Sequence, residues 1–330
     1  MKILVTGGAG YIGSHVCKML SQRGHQPIVA DNFVYGHDWA TKWGHFYKLD
    51  ILETQKLTEL MQKEKPEAVI HFAAYAYVGE SVQNPEKYYQ NNVMGTLSLL
   101  KAMRSVGLSK IVFSSTCATY GTPEQVPIHE ELPQNPINPY GQTKLMVEKI
   151  LKDYGVAYGL KSAALRYFNA AGADAENQIG EDHDPETHLI PLALQAAYDH
   201  SKPLTVMGTD YATPDGTCIR DYVHVTDLAS AHIAALEYLS KSKDTFSYFN
   251  LGTGKGVSVK EIVAATEKVT GKKVAHHLGA RRPGDPPALI ADGRKAMKEL
   301  GWNPIHSNIE NILETANRWY QKRFIAKDKL

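Results

Sequence analysis

Thr6-Gly7-Gly8-Ala9-Gly10-Tyr11-Ile12-Gly13 joins an apolar stretch, Lys2–Thr6, to a helical period over Ser14–Arg23. Three glycines fall at the spacing GxxGxxG. Gly7 lets the chain turn tightly, Gly10 lets backbone approach a pyrophosphate, and Gly13 lets helix and strand pack closely. A helix opening here presents free N–H groups and the positive end of its dipole to phosphates. An acid stands at the distance such a turn requires: Asp31 ends the second strand candidate, Pro27–Asp31. Its carboxylate can accept from adenosine ribose hydroxyls and would repel a 2′-phosphate, and no arginine sits beside it. The turn therefore predicts a bound dinucleotide, NAD in preference to NADP.

Outward from the turn, short apolar runs alternate with helical periods. Strand candidates continue at Phe46–Asp50, Ala68–Ala73, Ile111–Ser115 and Ser162–Asn169, and helices at Gln55–Glu64, Glu86–Val106 and Gly141–Tyr154. Near-continuous apolar strands are those buried on both faces, so this is an α/β, Rossmann-type, doubly wound parallel sheet. The rhythm breaks after Ala170. Residues 170–187 read as a polar loop, followed by a helix over Leu189–Asp199, a strand over Leu204–Met207, and helices over Val225–Leu239, Ser258–Thr270 and from Asn308. The organisation expected is a dinucleotide domain over 1–169, to which a segment near 219–252 can return, and a smaller mixed lobe over 170–330. The formal net charge is +1, without the basic excess of a nucleic-acid binder. The three cysteines, Cys17, Cys117 and Cys218, form no disulfide framework and no CxxC pair; with no leader or apolar span of ~20 residues, they suit a cytoplasmic setting.

Tyr140-Gly141-Gln142-Thr143-Lys144 places a phenol and an ammonium on one helix face. A positive charge about 4 Å from a phenol is worth roughly 4 kcal/mol at an effective dielectric near 20, about three pKa units, enough to move tyrosine toward a working general base. Tyr198-Asp199-His200-Ser201-Lys202 repeats the spacing but is stopped by Pro203 and lacks a hydroxyl-rich strand end upstream; Tyr198 reads as filler. Ahead of Tyr140 lies Phe113-Ser114-Ser115-Thr116-Cys117, where Thr116 can bond both a substrate hydroxyl and Tyr140.

Glycine turn, strand-end Ser/Thr and Tyr-x-x-x-Lys in that order resemble the extended short-chain dehydrogenase/reductase family, and within it the UDP-glucose 4-epimerase group. The resemblance runs from Lys2 to about Trp302. It takes in His71-Phe72-Ala73-Ala74, Asn138-Pro139-Tyr140-Gly141, Leu165-Arg166-Tyr167-Phe168-Asn169, Arg220-Asp221-Tyr222 and Arg281-Arg282-Pro283-Gly284-Asp285. It implies reversible inversion at C4 of a UDP-hexose through a 4-keto intermediate with tightly held NAD. Tyr140, Lys144 and Thr116 would be catalytic. Positions matching the cofactor site are Gly7, Gly10, Tyr11, Ile12, Gly13, Asp31, Asn32, Asp50, Ile51, Phe72, Ala73, Ala74, Asn91, Ser114, Tyr140, Lys144 and Tyr167. Those matching the UDP-sugar site are Thr116, Tyr140, Asn169, His188, Leu189, Arg220, Tyr222, Arg282, Asp285 and Leu289. Three positions depart from common family usage: Ala76 where some members have lysine, Thr116 for serine, and Leu289 in the sugar pocket, which leaves N-acetyl tolerance open.

A 4,6-dehydratase would need an Asp-Glu pair where Cys117 and Ala118 stand. Epimerisation of UDP-pentoses or of UDP-N-acetylhexosamines remains an alternative, while a non-catalytic dinucleotide sensor would not need Thr116, Tyr140 and Lys144. Glu181-Asp182-His183-Asp184 through Glu186 and His188 reads as a solvated loop without rigid metal spacing, so no metal is expected; His276-His277 reads as surface. The resemblance and the length of Glu86–Val106 imply a homodimer in which this helix and Gly141–Tyr154 form a four-helix bundle with their copies.

Overall fold

The computed structural model describes residues 1–282 and 285–326. In the first half, six strands alternate with helices: β1 (Lys2–Thr6), α1 (Tyr11–Gln22), β2 (Gln26–Asp31), β3 (His45–Lys48), α2 (Thr54–Glu64), β4 (Ala68–His71), α3 (Val78–Gln83), α4 (Pro85–Tyr88), α5 (Gly95–Ser105), β5 (Lys110–Thr116), α6 (Pro139–Tyr158) and β6 (Lys161–Tyr167). The second half holds β7 (Asn169–Ala171), α7 (Leu189–Tyr198), β8 (Leu204–Met207), β9 (Ile219–His224), α8 (Val225–Lys241), β10 (Phe246–Leu251), β11 (Gly256–Ser258), α9 (Val259–Thr270), β12 (His276–Gly279), β13 (Ala288–Leu289), α10 (Arg294–Leu300) and α11 (Ile309–Tyr320).

Seven strands form one sheet in the order β10-β6-β5-β4-β1-β2-β3, with every pairing parallel. Chain direction across the sheet reverses between β1 and β4, and ligands sit beyond the carboxyl ends of strands at such a switch point. One face packs Val16 and Leu20 of α1 with Leu228, Ala231 and Leu236 of α8. The other packs Leu57 and Met61 of α2, Leu99 and Met103 of α5, and Val147 and Leu151 of α6. Burial on both faces accounts for the unbroken apolar runs of β1 and β4.

A second sheet centres on β9, which pairs with β11 and β13 through its first half and with β7 through its second. Two expectations need correction, and two strands were missed. The sixth strand stops at Tyr167; Asn169 opens β7, which leaves the large sheet for the second one. The helix expected over Glu86–Val106 widens into a π-helical stretch, Tyr89–Met94, between α4 and α5. Strands β9 and β10 had no helical or strand reading in the sequence, because their partners are distant: β10 joins the sheet only by pairing with β6. Asn138 caps α6 by accepting from the Gly141 amide at 2.8 Å, Pro139 occupies its first turn, and Gly159 ends it at φ +69°. These local signals put Tyr140 at the helix mouth.

Candidate active site

The glycine turn is built as its spacing implies. Gly7 has φ +72°, and a Cβ there would stand 2.6 Å from the Ala73 amide nitrogen. A Cβ on Gly13 would stand 2.2 Å from the Gly7 carbonyl oxygen. Gly10 is the N-cap of α1 and offers no side-chain cap, so the first turn keeps its amides for an anion. Asp31 reaches back to this turn: Oδ2 accepts from the Ala9 amide at 3.1 Å and Oδ1 from the Phe33 amide at 2.9 Å. Burial pushes its carboxyl above the ordinary range, opposed by those amide bonds. Asn32 donates to Asp50 at 2.9 Å, Ile51 is buried against Gly95, and the Phe72 and Ala73 amides both donate to the Thr6 carbonyl. Asn91 lies on the π-helical stretch. Tyr11 opens α1 and donates to the Gly172 carbonyl at 2.6 Å. A strand-end Asp, an uncapped helix start and a glycine cradle fit an adenine dinucleotide.

Across the sheet, Thr116 ends β5 and its Oγ1 accepts from the Ala118 amide at 3.1 Å. Lys144 is buried, and its ammonium donates to the Ser114 carbonyl at 2.8 Å while lying 5.9 Å from the Tyr140 ring centre. Ser114 and Tyr167 hydroxyls meet at 2.5 Å. Burial lowers Lys144 to about 7, with Glu148 resisting. Burial also pushes the Tyr140 phenol up, Tyr167 and Cys117 add to the rise, and a hydrogen bond with Thr116 opposes it. The sequence expectation that Lys144 draws the phenol down is therefore not met by the protein alone. The ammonium is engaged by the Ser114 carbonyl of β5, and desolvation of the phenol dominates.

Facing this rim is β9. Register puts Asn169 opposite Tyr222 and Leu289 opposite Arg220, so four predicted residues converge through one strand. Asn169 donates to the Asp221 carbonyl at 3.1 Å. Arg220 pairs with Asp285 at 2.5 Å, and burial raises the Cys117 thiol to about 12 despite the opposing charge of Arg220. Arg282 is exposed at the rim; Pro283 and Gly284 fall outside the described residues.

The family model for the NAD dependent epimerase/dehydratase family matches residues 3–252. The chain belongs to the NAD dependent epimerase/dehydratase family. Among relatives, UDP-glucose 4-epimerase of Rhizobium meliloti is 51% identical over 97% of both chains. Among solved structures, UDP-glucose 4-epimerase from Brucella ovis in complex with NAD is 54% identical, with TM-score 0.93 over 96% of this chain and 97% of that one. The Bifidobacterium longum enzyme in complex with NAD+ and UDP is 39% identical, with TM-score 0.93 over 98% of each chain.

Two parts of this epimerase/dehydratase family member were not read from the sequence. Glu148, one turn beyond Lys144 on α6, forms a buried pair with Arg166 at 2.6 Å and accepts from Ser115 at 2.5 Å. Arg166 also donates to Tyr120, which bonds Asn250 at 2.8 Å. The i, i+4 step from Lys144 was the available signal. The second part is the loop before α7, which is buried in part. The Trp319 indole donates to the Glu181 carbonyl at 2.8 Å, Gly180 lies against the Trp319 ring, and Glu181 is only 8% exposed. The distant α11 thus buries a segment that reads as polar. His188 precedes the first turn of α7, beside Leu189, and contacts Glu181 and Glu186. Burial acts to lower both histidines, but the two carboxylates outweigh it, raising His183 to about 9 and His188 to about 10. Tyr198 ends α7 and bonds Asn317, with Lys202 beyond the helix, so the second Tyr-x-x-x-Lys builds no site.

Proposed function

We propose that this chain catalyses the reversible C4 epimerisation of a UDP-hexose, UDP-glucose to UDP-galactose, through a 4-keto sugar. The observation that carries the reading is the meeting of Thr116, Tyr140 and Lys144 at the carboxyl ends of the parallel strands, with Arg220, Tyr222 and Asn169 opposite. NAD, when bound, supplies the acceptor and donor for the C4 hydride and a positive ring that draws the Tyr140 phenol toward neutrality. Tyr140 takes the proton from the sugar O4 and returns it, while Thr116 bonds both oxygens and keeps them aligned. Lys144, fixed by the Ser114 carbonyl, holds the nicotinamide ribose. The adenosine end rests on Gly7, Gly10, Tyr11, Ile12, Gly13, Asp31 and Asn32, with Asp50, Ile51, Phe72, Ala73, Ala74, Asn91, Ser114 and Tyr167 along the rest. Arg220 and Arg282 suit the diphosphate and Asp285 suits ribose hydroxyls. His188, Leu189, Asn169 and Tyr222 complete that wall, and Leu289 bounds the sugar. Holding UDP firmly leaves the sugar free to turn between the two hydride transfers.

Protein purified without added nucleotide is expected to carry NAD and to convert UDP-galactose to UDP-glucose, followed by NMR at C4. Full turnover by nucleotide-free protein with none supplied would overturn the mechanism. Turnover of UDP-xylose alone would move the substrate to pentoses.

The dinucleotide is assigned to the large unit, 1–169 with α8 and β10 returning to it while β9 stays in the second sheet, and UDP to the smaller lobe. A homodimer through α4–α5 and α6 is supported by exposed apolar residues there: Val82 and Met94 near one helix, Val156 and Tyr158 on the other. Sedimentation is expected to give a dimer; a monomer at micromolar concentration would refute it. Free cysteines throughout, and the lack of any helix long and apolar enough to cross a membrane among the described residues, support a cytoplasmic setting.

A further inference from the structure

Glu181, His183, Glu186 and His188 bring four ligand atoms within 4.8 Å of one another. The pattern is E-x-H-x-x-E-x-H, with three residues in the loop and His188 at the N-cap of α7. Each imidazole offers Nδ1 to both carboxylates. His183 Nδ1 stands 3.2 Å from Glu181 and 3.6 Å from Glu186; His188 Nδ1 stands 2.9 Å from each. Tetrahedral zinc with bonds near 2.0–2.2 Å to nitrogen and oxygen has ligand–ligand edges of about 3.3–3.5 Å. The His183 distances bracket that length; the His188 distances are shorter, its contact with Glu186 Oε1 being a hydrogen bond that a metal would replace.

Two details separate this ring from ordinary ion pairs. Glu181 Oε1 is shared by both imidazoles, whereas one proton-bearing nitrogen per oxygen would suffice for pairing. His183 Nδ1 is buried and forms no hydrogen bond, even though Glu181 is within reach, so neither carboxylate lies where an N–H would point. The nitrogen and the oxygens border a common centre instead. Two carboxylates and two neutral imidazoles balance a dication. Of the two other acids between them, Asp182 is turned away to Arg323 at 2.8 Å, and Asp184 is not among the clustered ligand atoms.

We propose that these four residues bind one Zn²⁺ in a closed, structural tetrahedral site that ties the 172–188 loop to the start of α7. Four protein ligands leave no open position for chemistry. Metal on Nδ1 places the remaining His188 proton on Nε2. If the epimerase reading holds, that fixes a donor at the substrate wall; the metal site itself does not depend on that reading.

The test uses untagged protein purified without chelator and then given equimolar ZnCl₂. Elemental analysis after gel filtration is expected to show about one zinc per chain, and crystals to show an anomalous peak at the zinc edge between these four side chains. His183→Gln is expected to drop occupancy at least about tenfold while bound NAD, read by absorbance, is retained. Zinc below about a tenth per chain in the wild type, a peak elsewhere, or full occupancy in His183→Gln each overturns the site. If His183→Gln fails to fold, the wild-type anomalous map decides the matter alone.

Discussion

Tyr140→Phe is expected to lower turnover of UDP-galactose by roughly 10²–10⁴-fold while the protein still folds and binds UDP. The phenol is half-buried at the mouth of α6 with Thr116 beside it, so its oxygen is placed for one proton. Removing a half-buried hydroxyl with at most one neutral hydrogen bond costs about 1 kcal/mol of stability or less, which separates a chemical loss from a folding loss. Burial alone leaves the phenol too weak an acid to act near neutrality, so the effect also measures how far the bound dinucleotide corrects it. Turnover within about threefold of wild type, at unchanged NAD content, would remove Tyr140 from its role.

Arg166→Met is expected to produce the largest loss of stability. It strands the Glu148 carboxylate, which with Arg166 is only 3% exposed, and it frees Tyr120 from a 2.8 Å bond. Breaking one side of such a buried pair costs about 3–5 kcal/mol, on the order of 10 °C in thermal midpoint for a chain of this size. Adding Glu148→Gln to it should recover part of the loss, since an unpaired charge costs more than a neutral amide. A single-variant loss under about 1 kcal/mol would show that water or a rearranged partner satisfies the carboxylate.

The glycine turn was legible because its constraints are local: Gly7 needs a positive φ and Gly13 must clear the carbonyl of Gly7, six residues away. Tyr140 and Lys144 were legible as a helix spacing, and Asn138-Pro139 marks where that helix starts. Their electrostatics were not legible, because the field at the phenol depends on desolvation and on Tyr167 from another strand. Arg220, Tyr222, Asn169 and Leu289 could be named through resemblance, yet nothing local places them together. Only the pairing register of β9 with β7 and β13 does so. The loop at Glu181 misled for the same reason, since the residue that buries it, Trp319, lies 138 positions later.

The passage from β6 to β7 takes a single residue, Phe168, and that residue is buried with Tyr120, Ile128 and Ala291. A jaw needs a pivot with slack, and one packed residue between two hydrogen-bonded strands provides none. On the proposed function, the rim around Thr116 and Tyr140 and the wall built on β9 are thus held at a fixed gauge along one taut stretch of backbone. On that reading, sugars of different bulk are then to be accommodated by side chains lining the gap, Leu289 first among them, and not by widening it.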